Sequence, residues 1–281
     1  MSKFFNVHVH IETYVPPQFG IRENGAHLAV GGYGRNVAAA KYSDWVRIRK
    51  TLEKLRPPSV TELLLSNDGN QILEGCVTNF FVVCRKDSGS DDGNVPYDYG
   101  NKNNFEVQTA PINDGVLPGI IRQLVLEVCR NEGIPFREVA PSWSKHEIWE
   151  EAFITSSLRL LQHVDSIQVP TEWQSAHSKT WKDISWTKKQ FQVGGPGMIT
   201  TLIQEKVVEK AILEGYSINW PITLNTGPKL KQALLQQVLI LIPILQAPDP
   251  CLKIVNQHKK FESHNMAKGL PSMKGTYGEQ K

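Results

Sequence analysis

From Gly119 onward, Ile121, Leu124, Val125 and Val128 recur at helical spacing, and the run stops at Gly133, where a C-terminal cap belongs. Strand-like segments stand on both sides of it. Residues 62–65 (ELLL) and 71–73 (QIL) flank the turn-rich Ser66-Asn67-Asp68-Gly69-Asn70, which suits a hairpin, and Asn79 to Cys84 follows as another strand. Phe136 to Val139 and Ala152 to Thr155 are two further strand candidates. A second helical face carries Ile199, Leu202, Ile203, Val207 and Ala211 and closes at Gly215. Strands interleaved with amphipathic helices bury their apolar faces against one another, so the expected class is α/β or α+β with a mixed sheet.

Near the amino terminus Val7, Val9 and Ile11 alternate with His8, His10 and Glu12, the pattern of a strand with one wet face. The two histidines share that face, but no third ligand is evident, so no metal site is expected. The four cysteines, Cys76, Cys84, Cys129 and Cys251, form no CxxC pair and read as reduced, mostly buried thiols. The polar, Gly-, Asp- and Asn-rich stretch from Lys86 to Asn104 reads as a mobile surface loop.

With 281 residues, 40% of them hydrophobic, the chain can bury one large core or two modest ones. Its 31 basic and 28 acidic residues carry no basic stripe, which gives no electrostatic reason to expect nucleic acid. The amino terminus lacks the apolar core of a secretory signal, and the longest apolar run, Val238 to Leu245, contains Pro243 and is far too short to span a bilayer. No membrane association is expected, and the cytoplasm is the expected compartment. Residues 221–246 could form an interrupted helix, whereas 247–281 hold too few large apolar side chains to offset the entropy of ordering.

Lysine is abundant, and composition singles out none of them. Gly115-Val116-Leu117-Pro118 precede the helix near Gly119, and backbone N–H groups at such a start can hold a phosphate, although most helix starts bind only water. The order of several short segments says more. Ala38-Ala39-Ala40-Lys41-Tyr42-Ser43-Asp44-Trp45 comes first, then Leu73-Glu74-Gly75-Cys76-Val77-Thr78-Asn79-Phe80-Phe81, then Leu117-Pro118-Gly119-Ile120-Ile121-Arg122, then Glu151-Ala152-Phe153-Ile154-Thr155-Ser156-Ser157. A fifth, Gly194-Gly195-Pro196-Gly197-Met198-Ile199-Thr200, precedes the second helix. In this order they resemble the successive signatures of the class IV (fold type IV) aminotransferases, the pyridoxal-phosphate-dependent family of branched-chain and D-amino-acid aminotransferases that also includes aminodeoxychorismate lyase. The resemblance runs from about Val7 to Ser217.

The resemblance implies a role for each matching position. Lys41 matches the lysine that carries pyridoxal 5′-phosphate covalently and later moves the substrate proton; burial in a cofactor pocket is the implied setting. Glu74 matches the carboxylate facing the pyridine nitrogen. Gly119, Ile120 and Ile121 match the turn whose amides bind the cofactor phosphate. Thr155, Ser156 and Ser157 match the hydroxyl-bearing strand end that completes the phosphate cup, Ser157 being the first choice. Arg35 matches an arginine near the cofactor that supports either Glu74 or the phenolic oxygen, or forms a plain salt bridge. Thr78 and Asn79 brace the Glu74 loop.

Family members place a small α/β domain ahead of the lysine, whereas forty residues precede Lys41 here. The implied organisation is therefore a remnant of the small domain over residues 1–22, a fold type IV large domain over 23–220 and an atypical tail over 221–281. No counterpart of the family's phosphate-binding arginine is identifiable. The implied activity is amino-group transfer between an amino acid and a 2-oxo acid, by a homodimer. An aminodeoxychorismate-lyase-like elimination is the chemical rival, since Gly34-Arg35-Asn36 through Trp45 looks at least as close to that branch. A catalytically impaired chain that binds only cofactor or a partner subunit is the non-enzymatic one.

Overall fold

In this computed structural model the described residues are 19–86, 100–176, 180–191 and 195–214. The strand expected over Val7 to Ile11, most of the loop expected after Lys86, Cys251 and everything expected from Gly215 onward lie outside them.

Among the described residues nine strands form one mixed sheet: β1 (Ala26–Val30), β2 (Glu62–Ser66), β3 (Ile72–Gly75), β4 (Asn79–Arg85), β5 (Phe105–Thr109), β6 (Phe136–Glu138), β7 (Trp149–Ser156), β8 (Leu160–Pro170) and β9 (Trp186–Gln190). Their order is β3-β2-β1-β8-β7-β4-β5-β6, and β9 pairs with β8. Because β3 also pairs with β4, through Glu74 opposite Asn79, the six strands β3-β2-β1-β8-β7-β4 close into a ring. The helices are α1 (Trp45–Glu53), α2 (Ile120–Asn131), the single turn α3 (Trp173–Ala176) and α4 (Met198–Glu214). β1 and β2 run parallel, as do β1 and β8, while β7 pairs antiparallel with both β4 and β8. A parallel pair needs a crossover, and α1 supplies it between β1 and β2.

Alternation along each strand divides the apolar residues between the inside and the outside of the ring. Leu28, Leu64, Ile72, Phe80, Val82, Ile154, Val164 and Ile167 pack together inside, leaving the barrel filled. On one outer wall Phe81 stacks on Phe153 at 4.8 Å, and α2 and α4 cover them through Val125, Cys129, Ile199, Ile203 and Val207. On another, Ala29, Leu63 and Leu65 pack with Trp45 of α1. β4 is thus buried on both faces, which is why its sequence NFFVVCR is a near-continuous apolar run without alternation.

The expected hairpin is present as β2–β3, with Gly69 turning at φ 77°. α2 begins one residue after Gly119, and Gly133 follows its end at φ 64°. β7 starts three residues before the expected Ala152, and β6 ends one residue before the expected Val139. Cys76, Cys84 and Cys129 are free and buried, and burial pushes each thiol up to about 12. Among the described residues no helix is long and apolar enough to cross a membrane. Among the same residues, no group of three or more His, Cys, Asp or Glu could hold a metal ion.

Candidate functional site

Glu74 is the penultimate residue of β3, with its side chain 1% exposed. The Arg35 guanidinium reaches its Oε1 through both Nε (2.7 Å) and Nη2 (2.6 Å), and the Leu117 N–H donates to Oε2 at 2.9 Å. Burial pushes the Glu74 carboxyl above the usual carboxylate range; Arg35 and the Leu117 N–H pull the other way, and the charge of Glu62 adds to the upward push. A buried carboxylate is stable only when its oxygens are paired, and here each has a donor.

Register places three polar side chains in a row on the outer face of the ring. Glu74 lies opposite Asn79 in the β3–β4 pair, and Asn79 lies opposite Thr155 in the β4–β7 pair. Above this row stands the start of α2. The Asn79 Nδ2 donates to the Leu117 carbonyl at 2.8 Å, and a Cβ on Gly119 would lie 2.2 Å from Asn79 Oδ1, so only glycine allows the helix to begin this close to the sheet. Gly119 supplies no side-chain cap, and the first N–H groups of a helix have no partner within it. Thr155 is 1% exposed, and its Oγ1 makes no hydrogen bond among the described residues. A buried hydroxyl without a partner is costly, and its register neighbour Asn79 touches the segment that opens α2, where a helix start draws negative charge.

The loop from Gly31 to Asp44 carries both Arg35, which pairs with Glu74, and Lys41. A Cβ on Gly115, which turns at φ 83°, would meet the Arg35 carbonyl at 3.1 Å, so the turn before α2 rests on the Arg35 backbone. The Trp45 ring lies 5.1 Å from the Arg35 guanidinium carbon, and its indole N–H donates to the Cys76 carbonyl at 2.8 Å, two residues after Glu74. Lys41 caps a single 3-10 turn (Ala38–Ala40) in the left-handed conformation, at φ 45° and ψ 44°. Lys41 is exposed, in contrast to the buried setting that the resemblance implied.

Of the three hydroxyls at the end of β7, Ser156 is half-buried and accepts from the Arg159 N–H at 3.1 Å, and Ser157 is exposed. Thr155 is the one buried and unpaired. Thr78 holds the turn that follows Glu74: its hydroxyl donates to Glu62 at 2.9 Å, while its carbonyl accepts from the Gly75 N–H at 2.8 Å and closes the β3–β4 turn. Sequence reasoning missed Glu62 and Arg159. Glu62, buried, also accepts from the Val77 N–H at 2.8 Å and from Arg159 Nη1 at 2.6 Å, so it ties the β3–β4 turn to the β7–β8 turn. A lone glutamate opening an apolar strand, in ELLLS, was the one signal available.

Residues 10–167 match the family described as amino-transferase class IV. No curated protein matches the chain. Among solved structures, the branched-chain amino acid aminotransferase from Escherichia coli is similar at 19% identity and a TM-score of 0.44, over 65% of this chain and 51% of that one. A hypothetical aminotransferase from Mycobacterium tuberculosis in its PLP-bound form is similar at 13% and 0.42, over 67% and 57%. The 4-amino-4-deoxychorismate lyase from Pseudomonas aeruginosa is similar at 14% and 0.45, over 67% and 56%. The chain thus spans little more than half the length of these structures. The family match takes in β1 to β7 and most of β8, with Lys41, Glu74, the α2 start and Thr155 all inside it, and the chain belongs to the class IV aminotransferases.

Proposed function

We propose that this chain binds pyridoxal 5′-phosphate on the outer wall of the barrel and moves an amino group between an amino acid and a 2-oxo acid. The class IV aminotransferases are a pyridoxal-phosphate-dependent family, and the observation that carries the reading is the row Glu74, Asn79, Thr155 beneath the start of α2. The row sets a buried carboxylate at one end and an unpaired buried hydroxyl at the other. These residues fit a cationic ring nitrogen and a phosphate, since carboxylates accept from the first, and helix amides and hydroxyls donate to the second.

Bound there, pyridoxal phosphate supplies an aldehyde carbon that links to amines and a ring that takes up the electron pair released when a bond at the substrate Cα breaks. Glu74 would hold a proton at the ring nitrogen, and Arg35, paired with its Oε1, favours the ionised carboxylate that this task needs. The amides of Ile120 and Ile121, following Gly119, would bind the phosphate together with Thr155 and Ser157. Ser156 is already engaged with the Arg159 N–H and has its remaining hydrogen-bonding capacity to offer. Lys41 would hold the aldehyde carbon and, once displaced, take the proton from the substrate Cα and return it. A second copy of the chain is the proposed partner.

Titration with pyridoxal phosphate should turn the protein yellow, and borohydride should fix the label on Lys41. A label mapped to another lysine would overturn the assignment. With the cofactor bound, an amino acid and a 2-oxo acid should exchange their amino group. Pyruvate released without a 2-oxo acid acceptor would assign elimination instead.

A further inference from the structure

We infer that Asn79 is a positioning residue that couples the two ends of the site through the backbone of one residue, Leu117; the inference rests on the reading of Glu74 and the α2 start as parts of one site. The Leu117 N–H is held by Glu74 Oε2 at 2.9 Å, and its carbonyl is held by Asn79 Nδ2 at 2.8 Å. Since Glu74 and Asn79 are register partners, two neighbouring side chains of the ring grip both peptide planes of a single residue. The Leu117 carbonyl accepts a second time, from the Gly119 N–H at 2.8 Å. Pro118 lies between them with its φ locked by the ring.

Leu117-Pro118-Gly119 is therefore a short rigid strut, and Asn79 touches it twice: its amide nitrogen bonds the Leu117 carbonyl, and its Oδ1 lies against Gly119. At 5% exposure Asn79 has no solvent to turn toward. A charge change at Glu74 alters the bond to the Leu117 N–H, and the strut passes the displacement to the first amides of α2. An anion on those amides acts on Glu74 by the same route, because coupling between two sites is reciprocal. Asn79 keeps the strut from absorbing either movement. The role is mechanical, with no atom of Asn79 touching substrate.

The test is amide hydrogen exchange in the cofactor-free protein, with inorganic phosphate as the probe. In the unsubstituted protein the Leu117 amide should be protected, and phosphate should slow it further and shift the titration of Glu74. A Leu117 amide that exchanges as in an open chain, or that ignores saturating phosphate, overturns the inference without any variant. Asn79→Ala removes the donor, and Asn79→Asp keeps the shape while losing the donor when ionised. In whichever variant folds, Leu117 exchange should quicken by about tenfold, as expected for one lost hydrogen bond. The phosphate-linked shift of Glu74 should also disappear. Unchanged Leu117 exchange, or a surviving shift, overturns it. Pyridoxal phosphate added in parallel reports separately on the proposed function. A protein that protects Leu117 and responds to phosphate yet stays colourless would refute the cofactor and keep the coupling.

Discussion

Lys41 is held at φ 45°, where an L-residue with a Cβ is strained by roughly 1 kcal/mol, and it is one of two non-glycine residues with positive φ among the described residues. Local strain kept at a reactive side chain is stability given up for placement. Lys41→Gly should therefore raise the unfolding free energy by about 0.5–1 kcal/mol while abolishing covalent attachment of the cofactor. Chemical denaturation beside borohydride labelling measures both. Glu74→Gln should leave attachment intact but slow release of the substrate Cα proton by about 2 to 4 kcal/mol of barrier, since a neutral amide cannot hold the ring nitrogen protonated. Loss of deuterium from Cα-labelled amino acid gives the rate. At this scale the sequence showed chemistry only through the order of its short segments. Glu74 and Arg35 meet, as one of the readings of Arg35 expected. The hydroxyl left unpaired is that of Thr155, whereas Ser157 was the first choice, because which hydroxyl of three is buried depends on the strand register with Asn79.

α2 and α4 are both anchored at their starts by side chains of the sheet. Gly119→Ala would drive a Cβ to 2.2 Å from Asn79 Oδ1, and Asn79 cannot swing away without releasing Leu117. A loss of about 1–3 kcal/mol is expected, as for overpacking elsewhere in a core, read as a lower urea midpoint. At α4, Glu151 accepts the Ile199 N–H at 3.0 Å and the Thr200 N–H at 2.7 Å, yet burial pushes its carboxyl up despite these bonds. A carboxyl whose folded pKa is raised binds its proton more tightly when folded, so the stability it adds is fully present below its unfolded pKa and is lost as pH rises through the folded one. Relative to Glu151→Gln, the unsubstituted protein should therefore lose ground as pH rises from the ordinary glutamate range toward that raised value. Parallel melting curves across that window give the comparison, and a difference independent of pH would contradict it. Helical periodicity made α2 and α4 legible, and turn chemistry did the same for the β2–β3 hairpin. It missed β1, β5, β8, β9 and α1. α1 is only nine residues of mostly polar character, WVRIRKTLE, and the apolar residues of β8 in LLQHVDSIQVP do not alternate as a strand's would, since its first half pairs with β7 and its second with β1 and β9.

The closed ring is a property no local segment announces, since it depends on the β3–β4 pairing that joins the ends of an otherwise open order. Strands inside the ring have partners on both sides, whereas β6 pairs only with β5 and β9 only with β8 among the described residues. Amide exchange at equilibrium should therefore be slowest in β4 and β7 and fastest in β6 and β9, following the order in which local openings expose backbone. Rapid exchange in the middle of β4 would argue that the ring opens. The same topology governs how the chain can be made. β8 lies between β1 and β7 yet is among the last strands translated, so a nascent polypeptide halted before Leu160 has β1 bare along one flank and the barrel interior open to water. Pairings this distant in sequence form slowly. The ribosome must deliver Pro170 before the circle can shut, and until then the apolar strands β2 to β4 are surfaces that a chaperone would recognise.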